Sequence, residues 1–127
     1  MPTPLAIASV AAGAALGALL RWGLAAQLNP AWAGMPLGTL AANLLGGFGI
    51  GWLIAAPVMA PLAPELRLAL ATGFLGALTT FSTFSLEAFQ MLLEGHVWRM
   101  AGLAGSHFFG SLGMTALGYW TGGGFSD

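Results

Sequence analysis

Four long apolar runs, separated only by short polar turns, decide what this chain can fold into. They extend over about Leu5 to Ala26, Met35 to Ala56, Leu66 to Leu93 and Val97 to Trp120. A helix needs ~20 predominantly apolar residues to cross a bilayer, and each run reaches that length. Gln27, Asn29 and Pro30 separate the first run from the second. Pro57, Pro61 and Pro64 follow the second, Glu94, Gly95 and His96 follow the third, and Gly122 to Asp127 form a short tail. No soluble domain fits in turns this short, so residues 1–127 read as one four-span membrane domain. Charge supports the same conclusion. Only 6 % of the residues are charged, against roughly 25 % in soluble domains. Three arginines and four acids cannot cover a water-facing surface, and the mean hydropathy of +0.84 favours lipid. The expected fold class is an all-α membrane protein with four transmembrane helices.

Composition also excludes several functions. The chain has no cysteine, hence no disulfide framework and no thiolate metal site. It has no basic run of the kind that binds nucleic acid. The amino-terminal run is rich in alanine, as signal peptides are. Its only arginine, Arg21, comes after the apolar residues, so this run is expected to be a retained first span.

Small residues recur at helical spacing: Gly13 and Gly17, then Gly47 and Gly51, then Gly102, Gly105, Gly110, Gly113 and Gly118. Such seams let helices approach closely in lipid. Orientation is weakly specified. Arg67 belongs with the two termini on one side of the membrane, and Arg21 and Arg99 belong to the other. Insertion in both orientations is therefore expected. Four spans enclose little space, so an ion route is expected where two copies meet, and dual insertion allows an antiparallel homodimer.

Chemistry concentrates in the third run, at Gly73 to Glu87, GFLGALTTFSTFSLE. Five hydroxyl residues (Thr79, Thr80, Ser82, Thr83, Ser85) surround Phe81 and Phe84. Thr80, Thr83 and Glu87 share one helical face and make a polar track. The run is poor for continuous helix, and a broken membrane helix frees backbone groups that often coordinate ions. Carbonyls around Gly76 and Thr79 suit a hard cation. The electropositive edges of Phe81 and Phe84 suit a small anion, although two phenylalanines also suit plain packing. Asn43 in the second run is either interhelical glue or an amide aimed at an anion. Arg21 can snorkel or attract anions. Glu87 is awkward beside an anion track and needs a proton, a partner such as Arg21, or a wet vestibule. His107 and Ser111 share a face of the fourth run. No metal-ligand spacing and no nucleophile–base pair is present, so the chain is not read as an enzyme.

GTLAANLLGGF with Asn43, together with GFLGALTTFSTFSLE, closely resembles the Fluc (CrcB) family of small fluoride channels. ALGALLRW, ending in Arg21 and Trp22, and GSLGMTALG, from Gly110 to Gly118, resemble it too. The match covers all four spans in order. The resemblance implies an antiparallel, dual-topology homodimer in the bacterial inner membrane, with two pores that pass fluoride out of the cell down its gradient. It implies a structural Na⁺ at the dimer centre, held by carbonyls at the positions of Gly76 and Thr79. It assigns the pore to Phe81, Phe84 and Asn43, the hydroxyl track to Ser82 and Thr83, its acidic end to Glu87, and the arginine of the first span to Arg21. Ser111 matches a pore-side serine. His107 stands where many members have another serine, and Leu103 where some have tyrosine. An imidazole there can donate to fluoride and titrate near its ordinary pKa of about 6.5, or simply fill space. Two rival readings remain. A small multidrug-type exporter wants a carboxylate in the first span, which is absent here. A non-transporting subunit of a membrane complex leaves the hydroxyl–phenylalanine run unexplained.

Overall fold

A computed structural model describes residues 1–32 and 34–125; their regular structure is all helical, with no strand among them. Helix α1 (Pro4–Leu28) starts at Thr3, whose Oγ1 accepts from the Ala6 N–H at 3.1 Å, an N-cap that satisfies an otherwise free donor. It stops before Pro30, which cannot continue a helix. Helix α2 (Leu37–Ala55) follows, then a 3₁₀ turn at Pro57–Met59.

The third span, Pro64–Leu93, is assembled from pieces. A short helix α3 (Pro64–Leu68) widens into π turns over Ala69–Leu75 and tightens again in α4 (Gly76–Leu78). The chain then goes extended at Thr79 (φ −82°, ψ 151°) and Thr80 (φ −151°, ψ 124°) before helix α5 (Phe81–Leu93). The expected break is present, but Gly76 is still helical and the backbone opens three residues later. Gly95 (φ +79°) makes the turn into α6 (Val97–Thr121), a conformation that suits glycine.

Among the described residues, α1, α2 and the composite third span are long and apolar enough to cross a membrane. Helix α6 is as long as α1, with 25 residues, and more polar along its length. It runs parallel to α2, from the Asn43–His107 contact to the approach of Gly122 to Ala55, and so lies alongside α2 over most of its length. The third span runs parallel to α1, with Gly13 against Ala69 and Gly17 against Phe74 and Leu78. The four segments thus alternate in direction, as their short connections require, and form an all-α, multi-pass membrane protein.

Small residues account for the close contacts. A Cβ at Gly13, Gly17 or Gly73 would strike backbone across the α1–third-span seam, and one at Gly47, Gly51 or Gly118 would strike backbone across the α2–α6 seam. Gly102, Gly105 and Gly113, grouped with Gly118 by spacing, meet nothing within this chain. The buried apolar core is small, centred on Ala42, Leu75 and Leu78 with Phe74 packed against it. Large apolar side chains such as Leu16, Ile54, Phe89 and Phe109 point outward, as expected where lipid or another copy is the neighbour.

Candidate ion pathway at the broken span

The break is held open by two side chains. In an unbroken helix the Thr80 N–H would bond the Gly76 carbonyl, four residues back. Here it donates to Asn43 Oδ1 at 2.7 Å. The Thr83 N–H would likewise bond the Thr79 carbonyl, but it donates to Thr80 Oγ1 at 3.2 Å, which makes Thr80 the N-cap of α5. Asn43 and Thr80 therefore take the donors that Gly76 and Thr79 carbonyls would have had. These are the two carbonyls expected to hold a cation. The Thr79 hydroxyl spends its proton on the Leu75 carbonyl at 3.0 Å, so it has no donor left for an anion.

Asn43 is fully engaged. With Oδ1 on the Thr80 N–H, its Nδ2 donates to the Thr80 carbonyl at 2.9 Å and lies 3.0 Å from His107 Nδ1. The amide group thus faces His107 with a hydrogen, so Nδ1 accepts and the imidazole proton is assigned to Nε2. An anion-facing role for the Asn43 amide would require one of these bonds to be given up. His107 Nε2 is buried without a partner, as is Glu87 Oε2. The His107 ring stacks on Phe84 at 4.5 Å, and Phe84 meets Phe81 edge-on at 5.5 Å and 62°.

An open groove of about 970 Å³ runs along this hub. It brings together Asn43, Phe81, Phe84, His107 and Ser111, with Gly76 and Thr79 beside them. Phe81, 77 % exposed within one chain, stands at its rim. Ser82, Thr83, Glu87 and Arg21 are not part of its wall. Ser82 and Thr83 instead bond to Thr80 Oγ1, at 3.3 and 3.2 Å. Arg21 does not pair with Glu87: its Nε donates to the Ala77 carbonyl at 3.0 Å, at the end of the upper half of the broken span. Leu103 is fully buried.

Glu87 finds its partner in Thr39, whose Oγ1 donates to Oε1 at 2.5 Å. Asn29 stands behind Thr39. Its Oδ1 accepts the N–H groups of Gly38 (2.7 Å) and Thr39 (3.2 Å), capping α2 from the preceding turn, and its Nδ2 donates to Thr39 Oγ1 at 3.4 Å. A recess of about 230 Å³ beside them is lined by Asn29, Glu87, Gln90, Glu94, His96 and Arg99. The sequence did not mark Thr39, marked Asn29 only as part of a turn, and marked Thr80 only as part of the track. The available signal was a polar side chain at a helix start for Thr39, and a threonine of N-cap type ahead of the Phe81–Leu93 run for Thr80. No group of three or more His, Asp or Glu side chains that could hold a metal exists among the described residues.

A multi-pass α-bundle with one span broken beside a groove, and with backbone carbonyls released there, is the architecture of membrane proteins that handle ions. The family model described as CrcB-like protein, Camphor Resistance (CrcB), matches residues 8–119, and the chain belongs to that family. It is 54 % identical over 113 residues to a Pseudomonas aeruginosa protein named fluoride-specific ion channel FluC, covering 88 % of this chain and 89 % of the relative. A Burkholderia cenocepacia relative of the same name is 52 % identical over 117 residues, covering 91 % of each chain. A Burkholderia vietnamiensis relative, also so named, is 52 % identical over 118 residues.

Proposed function

We propose that this protein is a fluoride-selective channel of the bacterial inner membrane that lets fluoride leave the cell passively. The observation that carries the reading is identity above one half, over nearly the whole chain, to relatives named for fluoride conduction. The groove is chemically suited to the task. Fluoride is small and strongly hydrated, so its water must be replaced by good hydrogen donors. The groove is lined by His107, whose Nε2–H is buried without a partner, by the rings of Phe81 and Phe84, and by Ser111. Ser82 and Thr83 extend the hydroxyl supply towards Glu87.

Two copies arranged antiparallel would complete this pathway twice. The groove is open on one flank, α5 makes few contacts with the rest of its own chain, and Phe81 is left exposed, all of which fits a second copy lying there. The carbonyls of Gly76 and Thr79 fit a Na⁺ ion on the two-fold axis, since Asn43 and Thr80 have removed their helical donors. One chain offers two such oxygens, and its copy would double the set. A bound Na⁺ would supply charge compensation between the two broken spans.

The test is fluoride efflux from liposomes that contain only this protein, followed with a fluoride electrode. Rapid efflux, with chloride retained, is the expected result. Liposomes that hold their fluoride would refute the channel reading.

A further inference from the structure

The bonds around Glu87 have a fixed direction. The Asn29 Oδ1 atom is committed to two backbone N–H groups, so the side of Asn29 that meets Thr39 is Nδ2, a donor. Thr39 Oγ1 therefore accepts from Asn29, and its single proton is left for Glu87 Oε1, 2.5 Å away. Thr39 is 1 % exposed, so water does not compete for this proton. The second carboxyl oxygen, Oε2, is buried and has no partner.

We infer that Thr39 and Asn29 are positioning residues for Glu87, anchoring Oε1 and leaving Oε2 as the uncommitted oxygen of the carboxyl group. This inference rests on the fluoride reading for its consequence, though not for the coupling itself. It also accounts for a carboxyl group on an anion route. Because Oε1 already accepts, any proton on this carboxyl resides on Oε2, where it is a hydrogen donor of the kind fluoride needs. A carboxyl freed from Thr39 could rotate and present either oxygen.

Two measurements on the full-length protein in liposomes test this. In the first, Thr39→Val keeps the shape and removes the hydroxyl, with Thr39→Ala as the parallel variant, and Thr39→Ser restores it. Efflux should fall about tenfold in Thr39→Val, the scale of one hydrogen bond to a charged or acidic group, and return in Thr39→Ser. In a Glu87→Ala background Thr39→Val should have no further effect. Wild-type efflux in Thr39→Val, or loss in Thr39→Ser equal to that in Thr39→Val, would overturn the inference. In the second, the ¹³C carboxyl resonance of Glu87, one of three glutamates in the chain, should shift in Thr39→Val and Thr39→Ala and stay in place in Thr39→Ser. A resonance unmoved by loss of the hydroxyl overturns the inference whatever the efflux shows. A wild-type protein that passes no fluoride would defeat the channel reading, and the resonance would still decide the coupling.

Discussion

Asn43 joins three elements with one amide: the two halves of the broken span, through Thr80, and α6, through His107. Removing it in Asn43→Ala leaves the Thr80 N–H and the His107 Nδ1 atom without their partner in a partly buried site. Each buried polar group left unpaired costs about 1–3 kcal/mol, so a loss of several degrees in thermal unfolding of the detergent-solubilised protein is expected. Asn43→Asp keeps the acceptor for Thr80 and loses both donors, and it should be intermediate. The sequence marked Asn43 as a polar residue in need of partners. It could not say which, because Thr80 and His107 lie 37 and 64 residues away. Phe81 and Phe84 are a different kind of residue. One is at the rim and the other half-buried, so little folding energy rests on them. Phe81→Ile and Phe84→Ile should leave the fold intact and lower fluoride flux sharply, because an aliphatic side chain has no electropositive edge. Unchanged flux in both would remove the phenylalanines from the pathway.

At the scale of elements, the third span shows how far local sequence reaches. Its hydroxyls and glycines foretold a break, and the break is there. Its position at Thr79 and Thr80 was set by Asn43 and by the Thr80 cap, of which only the cap is local. The π turns over Ala69–Leu75 left no sequence signal, since they occur where this span presses against α1 at Gly13. The glycine seams split the same way: spacing found Gly13, Gly17, Gly47, Gly51 and Gly118 but not Gly73, and packing separates those that meet another helix from those that do not. Gly13→Val would drive its side chain into the Ala69 backbone and should abolish the folded protein, read as loss of the monodisperse peak in size-exclusion chromatography. Gly105→Ala meets nothing in its own chain. Replacing a mid-helix glycine by alanine gains about 0.5–1 kcal/mol, so this variant should elute as wild type and melt no lower.

At the scale of the whole molecule, the distribution of arginines bears on how the chain enters the membrane. Counted along the sequence, Arg67 opposes Arg21 and Arg99. The structure reduces that inequality, because Arg21 bonds the Ala77 carbonyl beside the break and lies within the bundle instead of in a loop. Arg67 stays in the turn region, bound to the carbonyls of Ala60 and Leu62, and Arg99 lies in the first turn of α6 at the opposite side. One loop arginine then stands against one, and the positive-inside rule, which counts Lys and Arg near span ends, has nothing to act on. An antiparallel dimer needs this balance, since both orientations must be made from one chain. Tags at the termini should therefore report both sides of the membrane in similar amounts. Two lysines added between Pro57 and Pro64 should collect that loop on the cytoplasmic side and give one topology. Such a chain can no longer form an antiparallel pair with itself, so its fluoride efflux should vanish, and co-expression with a copy carrying two added lysines beside Gly95 should restore it. A single topology in the unmodified chain would defeat the antiparallel arrangement.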